Sequence, residues 1–252
     1  MQKSKLLVAV LGTLIAAPAL ADSPFSANVS LTTDYLFRGM SQTGGKPALQ
    51  GGFDYANPNG FYAGIWGSNI SWISDFSAGA VSSASVELDT YFGYSSSFAT
   101  DFTYDVGFLR YNYPGNYNGA TKADTDEIYG SIGYKWFTAK YSRSLGDTFG
   151  ISSASGSDYL DLSASVPLGQ DFTLGAHYGK QAFKGTTADL LRAGGTDPDY
   201  HDYNISLGKD VGGYSYTLMY SKTNATQGGF WTDPSGRNVG KGTAVLSVSH
   251  SF

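Results

Sequence analysis

Apolar and polar residues alternate with a period of two from residue 26 to the end of the chain, and no stretch of comparable length carries helical spacing. The alternation divides into runs that each predict a strand. They are Ser26–Arg38, Ala48–Ala56, Phe61–Ile70, Ser85–Tyr94, Asp101–Tyr113, Glu127–Tyr134, Trp136–Leu145, Asp158–Val166, Phe172–Gln181, Tyr200–Gly208, Tyr214–Thr223 and Gly242–Phe252. The connections between them are of two kinds. Asn57–Gly60, Ser95–Thr100, Lys135, Pro167–Asp171 and Lys209–Gly213 are short; Gly39–Pro47, Ser71–Ala84, Pro114–Asp126, Gly146–Ser157, Ala182–Asp199 and Asn224–Lys241 are long and rich in Gly, Ser and Asp. Short and long connections alternate along the whole chain. An all-β fold follows: a closed antiparallel transmembrane barrel of twelve strands, with both termini on the short-turn, periplasmic side. A soluble lipocalin-like barrel also alternates, but has about eight strands and turns its apolar face inward.

Three runs fix which face is outward. Phe102, Tyr104, Val106, Phe108 and Arg110 share one parity; so do Phe172, Leu174, Ala176, Tyr178 and Lys180, and Tyr214, Tyr216, Leu218, Tyr220 and Lys222. Each begins on an aromatic, crosses an apolar stretch, reaches a second aromatic and ends on a cation. Two aromatic girdles around a lipid-facing band have this spacing. A soluble core face would not end on Lys or Arg three times. Arg143 follows Phe137, Ala139 and Tyr141 in the same way, so Arg110, Arg143, Lys180 and Lys222 are expected at the outer rim, facing lipopolysaccharide phosphates.

The two ends of the chain agree with a barrel of the outer membrane. Lys3 and Lys5, the apolar run Leu6–Ala16 and the small-residue site Ala19-Leu20-Ala21 read as a signal peptide, Met1–Ala21, cleaved to leave a single barrel domain from Asp22. The last strand ends on Phe252, the position of an assembly signal read by the barrel-assembly machinery. With no Cys there is neither a disulfide nor a thiolate site nor a lipoprotein anchor. Charged residues are 15%, aromatics also 15%, and 33 residues are Gly, a composition that suits a banded barrel wall better than a soluble globule. Mean hydropathy is −0.19, as expected when half of each strand faces water. The formal charge of −5, or −7 once Lys3 and Lys5 are removed, argues against nucleic acid as a partner.

Three segments carry a family resemblance. Leu31-Thr-Thr-Asp-Tyr-Leu-Phe-Arg-Gly-Met-Ser-Gln-Thr43, Pro47-Ala-Leu-Gln-Gly-Gly-Phe-Asp-Tyr55 and Gly60-Phe-Tyr-Ala-Gly-Ile-Trp-Gly-Ser-Asn69 resemble the TorF family of porins. The resemblance implies an outer-membrane pore and carries no substrate, cofactor or catalytic residue with it. His250 departs from the pattern, standing where the terminal strand of such barrels more often has an aromatic.

The parity opposite to the lipid face places Asp34, Asp54, Glu87, Asp89, Asp105, Glu127, Asp161 and Asp202 in the lumen, against Arg38 and Lys140. The parity of Phe61–Ile70, apolar on both faces, stays open. A like-charged lumen concentrates cations, which predicts a weak cation preference carried by Glu87, Asp89, Asp105 and Asp161. Hairpin pairing through Ser95–Thr100 predicts that Asp89 and Asp105 lie close together. The competing reading is that the carboxylates pair with Lys140, Tyr hydroxyls or Ser and fill the barrel. A barrel of this size has a backbone diameter of about 24 Å, and inward Tyr91, Tyr111, Tyr129 and Tyr159 narrow it, so a wide porin is not expected.

Other function classes rest on less. Of the three His residues, His250 falls in the girdle, and His177 faces inward with no base or nucleophile beside it in sequence. His201, in Asp197-Pro-Asp-Tyr-His-Asp202 at the rim, is the one candidate for a cation site or a hydrolase centre; the plainer reading is a solvated loop end. No phosphate loop, metal-protease His pair or nucleophile elbow occurs, so no enzyme, metal or cofactor is expected. A closed structural or adhesive barrel remains the alternative. In it Trp72, Ile73, Phe76, Phe230 and Trp231, apolar residues on polar loops, fold inward as a plug or form a partner-binding tip.

Overall fold

The structure, a computed structural model, describes residues 23–77, 83–118, 121–225 and 230–252. The signal-peptide reading of Met1–Ala21 lies outside them. Among the described residues there are fourteen strands: β1 Phe25–Thr32, β2 Leu36–Phe37, β3 Met40–Ser41, β4 Ala48–Ala56, β5 Phe61–Asn69, β6 Val86–Ala99, β7 Phe102–Asn112, β8 Thr125–Tyr134, β9 Phe137–Ser144, β10 Asp158–Gly169, β11 Phe172–Ala182, β12 Tyr200–Val211, β13 Tyr214–Thr223 and β14 Thr243–Ser251. Twelve of them, β1 and β4 to β14, form a closed barrel in which every strand is antiparallel to its neighbours. The seam is β1 on β14, where Ala27 and Phe252 exchange backbone hydrogen bonds. Closure leaves no open sheet edge, the condition for a sheet in lipid.

The wall is inside out relative to a soluble barrel. Leu31, Leu49, Phe92, Val106, Ile128, Leu162, Ile205, Leu218 and Leu246 are exposed on its outer face, whereas Gln50, Asp54, Asp105, Asp161 and Ser247 are buried inside. The parity of β5 is now fixed: Phe61 and Ile65 point outward, Trp66 and Ser68 inward. Aromatic contacts cluster at the short-turn end, where Phe98 and Tyr134 each meet Phe102 and Tyr214 lies against His250 in a tilted contact.

Several boundaries differ from expectation, three of them for identifiable reasons. β6 and β10 run further into their turns, and each meets its partner through a bulge, between Ser97 and Ala99 and between Pro167 and Gly169. Ser95, Ser96 and Ser97 look like turn residues but pair in the ladder, and a bulge tolerates the missing N–H of Pro167. The first strand ends at Thr32 rather than Arg38. From there the first loop, residues 33–47 (L1), turns into the barrel.

The described residues of the other long connections, residues 70–85 (L2), 113–124 (L3), 145–157 (L4), 183–199 (L5) and 224–242 (L6), cap the same end. Two short helices lie among them, α1 Trp72–Phe76 and α2 Thr186–Ala193. Tyr35, Ile73, Tyr113 and Tyr117 share one buried core with Trp72 against it; Met40, Ile151, Phe183, Tyr200 and Val239 share another, with Phe76, Phe230 and Trp231 packed on it. The apolar loop residues therefore fold inward. L1 reaches both cores, and Leu36 adds a third contact against Met219 and Val245 of the wall.

Candidate functional site

L1 enters the lumen as a two-stranded hairpin, β2 on β3, and its turn sets the site. Arg38 and Gly39 both have positive φ, +47° and +77°, as a tight hairpin turn requires. Gly39 is needed twice over, because a Cβ there would stand 2.6 Å from both Asp202 Cβ and Thr223 Cγ2. Asp34 anchors the base of L1 by accepting from Ser41 at 2.7 Å and Thr43 at 3.1 Å. Asp34 and Arg38 are thus buried on a loop rather than carried by the first strand.

Arg38 spans the lumen. Its guanidinium donates to Glu127 of β8 at 2.8 and 2.9 Å and to Gln181 of β11 at 2.8 Å, with its plane 4.3 Å from the ring centre of Tyr159. Arg38 and Glu127 are both buried. A second cluster lies beside it. Nε2 of His177 is 2.9 Å from Asp202, Nδ1 is 3.3 Å from Asp161, and the Tyr159 hydroxyl donates to Asp202 at 2.9 Å. Ser163 hydrogen-bonds Asp161 and lies 3.3 Å from Nδ1 of His177. Ladder register explains the convergence: Lys140 pairs with Asp161, Asp161 with Gly179 and Gly179 with Asp202, one inward row across four strands. Adjacent residue numbers show none of this; only the ladder brings His177 to Asp161 and Asp202.

Across the lumen, on the arc from β4 to β8, tyrosines occupy the space. Tyr91 donates to Asp54 at 2.5 Å and Tyr62 to Asp105 at 2.6 Å, and Tyr62 also meets the Tyr129 hydroxyl. Each ring lies over a glycine of the next strand. A Cβ at Gly64, Gly93 or Gly107 would fall 2.3–2.4 Å from the hydroxyl of Tyr91, Tyr62 or Tyr129 respectively. Lys140 sits 3.9 Å from the Tyr129 ring centre. Toward the cap, Tyr35 donates to Glu87 at 3.2 Å, while Glu87 Oε2 and Asp89 Oδ1 are buried with no hydrogen-bond partner among the described residues.

All eight luminal carboxylates and Lys140 are therefore inside and buried, most of them engaged by Tyr, Ser, His or Arg. Asp89 and Asp105 are not neighbours. Asp89 pairs with Tyr111 and Asp105 with Ser95, which separates the two acids by six residues along the hairpin, about 20 Å. The longer β6 moved the turn and with it the register.

The rim His/Asp site does not assemble. His201 points outward and hydrogen-bonds Tyr178 at 2.6 Å, whereas Asp202, the next residue, points inward to His177. Among the described residues no group of three or more His, Cys, Asp or Glu is arranged to hold a metal ion. Of the outward cations, Arg143, Lys180 and Lys222 are exposed, and Arg110 pairs with Asp126 at 2.9 Å and Asp124 at 3.4 Å. Asp147 and Asp199 are occupied elsewhere, by the Ser153 backbone and by Arg192.

Space remains along one arc. A cavity of about 60 Å³ lies against β10 to β13, lined by Ser165, Thr173, Asn204, Ser206, Ser215 and Thr217, with Asp171, Lys209 and Asp210 also on its lining. A second, of about 20 Å³, shares His177, Asn204 and Met219 with it and is bordered by Leu36, Arg38, Gly39, Asp161 and Asp202.

Comparison with known proteins agrees on the architecture. The KdgM porin in complex with disordered oligogalacturonate superposes with a TM-score of 0.53 at 10% identity, over 90% of this chain and 99% of that one. The NanC porin gives 0.54 at 10% identity, over 89% and 97%. At such identity the likeness is one of fold: a porin-type barrel. No curated protein matches by sequence. The family whose sequence pattern does match, over residues 16–252, is described as "Bacterial protein of unknown function (Gcw_chp)", rather than under the TorF name, and the chain belongs to that family.

Proposed function

We propose that this protein is an outer-membrane porin with a narrow, weakly cation-preferring route for ions and small polar solutes. The observation that carries the reading is the closed barrel with an apolar outside and a polar, partly hollow inside. Soluble barrels of similar topology have no reason to expose that much Leu, Ile and Phe. In this reading Met1–Ala21 directs export, the short turns and both termini are periplasmic, and the capped end faces outward. The resemblance of residues 31–69 to TorF porins points the same way. Eight luminal carboxylates against Arg38, Lys140 and His177 support cation preference, and their internal pairing keeps it weak. An acidic sugar such as the one in the KdgM complex would meet like charge here.

Arg110, Arg143, Lys180 and Lys222 belong to the same proposal as contacts for lipopolysaccharide phosphates, and Phe252 as the signal for barrel assembly. Single-channel recording in planar bilayers tests the porin reading, with reversal potentials in a salt gradient giving the ion preference. A protein that never conducts would instead be a closed structural barrel. That second reading is favoured by one observation, the seating of L1 under two apolar cap cores.

A further inference from the structure

We infer that one proton, on the imidazole of His177, sets how strongly the lumen prefers cations. The inference rests on the porin reading and names the residue that governs its ion preference, together with the pH response that follows.

The protonation state is written in the hydrogen-bond directions. Nε2 of His177 faces Asp202 Oδ1 at 2.9 Å and the Tyr159 hydroxyl oxygen at 3.0 Å, and that hydroxyl gives its hydrogen to Asp202 Oδ2 at 2.9 Å. Nδ1 faces Asp161 at 3.3 Å and Ser163 Oγ at 3.3 Å, and Ser163 gives its hydrogen to Asp161. Among the described residues each ring nitrogen therefore meets only acceptors. A neutral imidazole has one N–H and one bare lone pair, so it would set that lone pair against oxygen on one side. The imidazolium, with two N–H groups, satisfies both sides.

Position gives this proton its effect. His177 borders both cavities, the one of about 60 Å³ toward the short-turn end and the one of about 20 Å³, room for about one water, against the turn of L1. On the opposite arc Tyr62, Tyr91 and Tyr129 lie over glycines and fill the space. An ion moving between the short-turn end and L1 passes the His177 ring at close range, where little water is present to screen a charge. Facing the ring are Asp161 and Tyr159 of β10 and Asp202 of β12. Lys140 and Asp105 continue the same ladder row through Ser131, and Arg38 of L1, held by Glu127, lies over Tyr159. While the ring is protonated, four acids (Asp105, Glu127, Asp161 and Asp202) stand against three cations, and one negative charge is in excess. Loss of the proton doubles that excess. A weak preference for cations on the acid side of the titration thus becomes a stronger one on the alkaline side.

Reversal potentials across a potassium chloride gradient in planar bilayers read the preference directly. Raising the pH from about 6 to about 10, the range in which a perturbed imidazole titrates, should move the wild-type value toward the potassium equilibrium potential. His177→Gln should hold the shifted value at every pH, and His177→Arg the unshifted one. His201 and His250 face outward, so a protein carrying His201→Gln and His250→Gln should keep the shift. Grown with isotope-labelled histidine, that protein shows one imidazole signal by NMR, whose titration should coincide with the shift. This readout leaves His177 in place and decides the matter even where a substitution of His177 prevents folding. A wild-type potential that does not move with pH, a shift of the same size in His177→Gln, or an imidazole that titrates apart from the shift overturns the inference and leaves the porin reading standing. A protein that never conducts removes the porin reading, and this inference with it.

Discussion

Replacing Arg38 by Met should unseat L1 from the lumen. The guanidinium is bound to two wall strands, to Glu127 of β8 and Gln181 of β11, and its faces are covered by Phe37, Phe149 and Tyr159. Met keeps much of the apolar stem packing, so the loss falls on the ion pair. Glu127 is left buried with a 3.4 Å hydrogen bond from Tyr111. Breaking one side of a buried pair costs about 3–5 kcal/mol. The wall of the barrel is held independently by its ladder, so that cost falls on the seated position of L1. At about 1.4 kcal/mol per tenfold, the unseated state gains roughly two to four orders of magnitude in population. Single-channel traces should show long high-conductance openings that are rare in the wild type. Arg38→Met with Glu127→Gln removes the stranded charge and should restore most of the seated state. Traces and thermal unfolding of Arg38→Met that match the wild type would refute the latch.

Further expectations concern other parts of the molecule. Deleting Phe252, whose exposed ring meets only His250 among its aromatic contacts, should lower the level of barrel in the outer membrane while leaving the melting temperature of refolded protein nearly unchanged; immunoblots of membrane fractions decide it. Gly107→Val drives a side chain into Tyr129 and should destabilise by about 1–3 kcal/mol, read by urea unfolding in micelles. Changing Arg110, Arg143, Lys180 and Lys222 together to Gln should reduce co-purifying lipopolysaccharide and its thermal stabilisation; unchanged values would remove that partner. In L6, burial pushes the Asp233 carboxyl up, but Ser235, the Arg237 backbone and the Arg237 guanidinium outweigh it and hold it down to about 2. A depressed carboxyl stabilises above its ordinary range near 4 and loses that contribution as pH falls through 2. Asp233→Asn at neutral pH should therefore loosen L6, seen as a change in Trp231 fluorescence, while the wild type stays constant between pH 5 and 8.

The strands were legible because period-two alternation is a local signal, repeated until the barrel closes. Ala48–Ala56 and Tyr214–Thr223 are strands over the same residues that the alternation marks. L1 was not legible, because Asp34-Tyr-Leu-Phe-Arg38 continues the alternation while the chain leaves the sheet. Its residues alternate between two loop cores and the wall instead of between lipid and lumen. The register of β6 on β7 misled in a similar way, since three serines at a hairpin end look like a turn. His177 needed three strands in register before its partners appeared. Parity alone put the luminal carboxylates inside; what they bind there depends on residues one and two strands away.

Gly and Tyr are abundant here for a reason that composition cannot express. An outward aromatic band accounts for Tyr178, Tyr216 and Tyr220, which are exposed. Tyr62, Tyr91, Tyr129 and Tyr159 serve another purpose. Each covers a glycine of a neighbouring strand and carries its hydroxyl to an acid or to another tyrosine. A carboxylate in a narrow lumen needs hydrogen bonds that water alone would otherwise supply, and a phenol on a glycine provides one while occupying the space that water would fill. On the arc from β4 to β8 the same pairing that satisfies Asp54 and Asp105 fills the lumen. On β10 to β13 the inward residues include Ser165, Thr173, Asn204, Ser206 and Thr217, groups that satisfy one another or water without bulk, and a small cavity lies against them. The acids of this second arc are met differently, Asp161 and Asp202 by the His177 imidazole between them and Asp202 also by the Tyr159 hydroxyl.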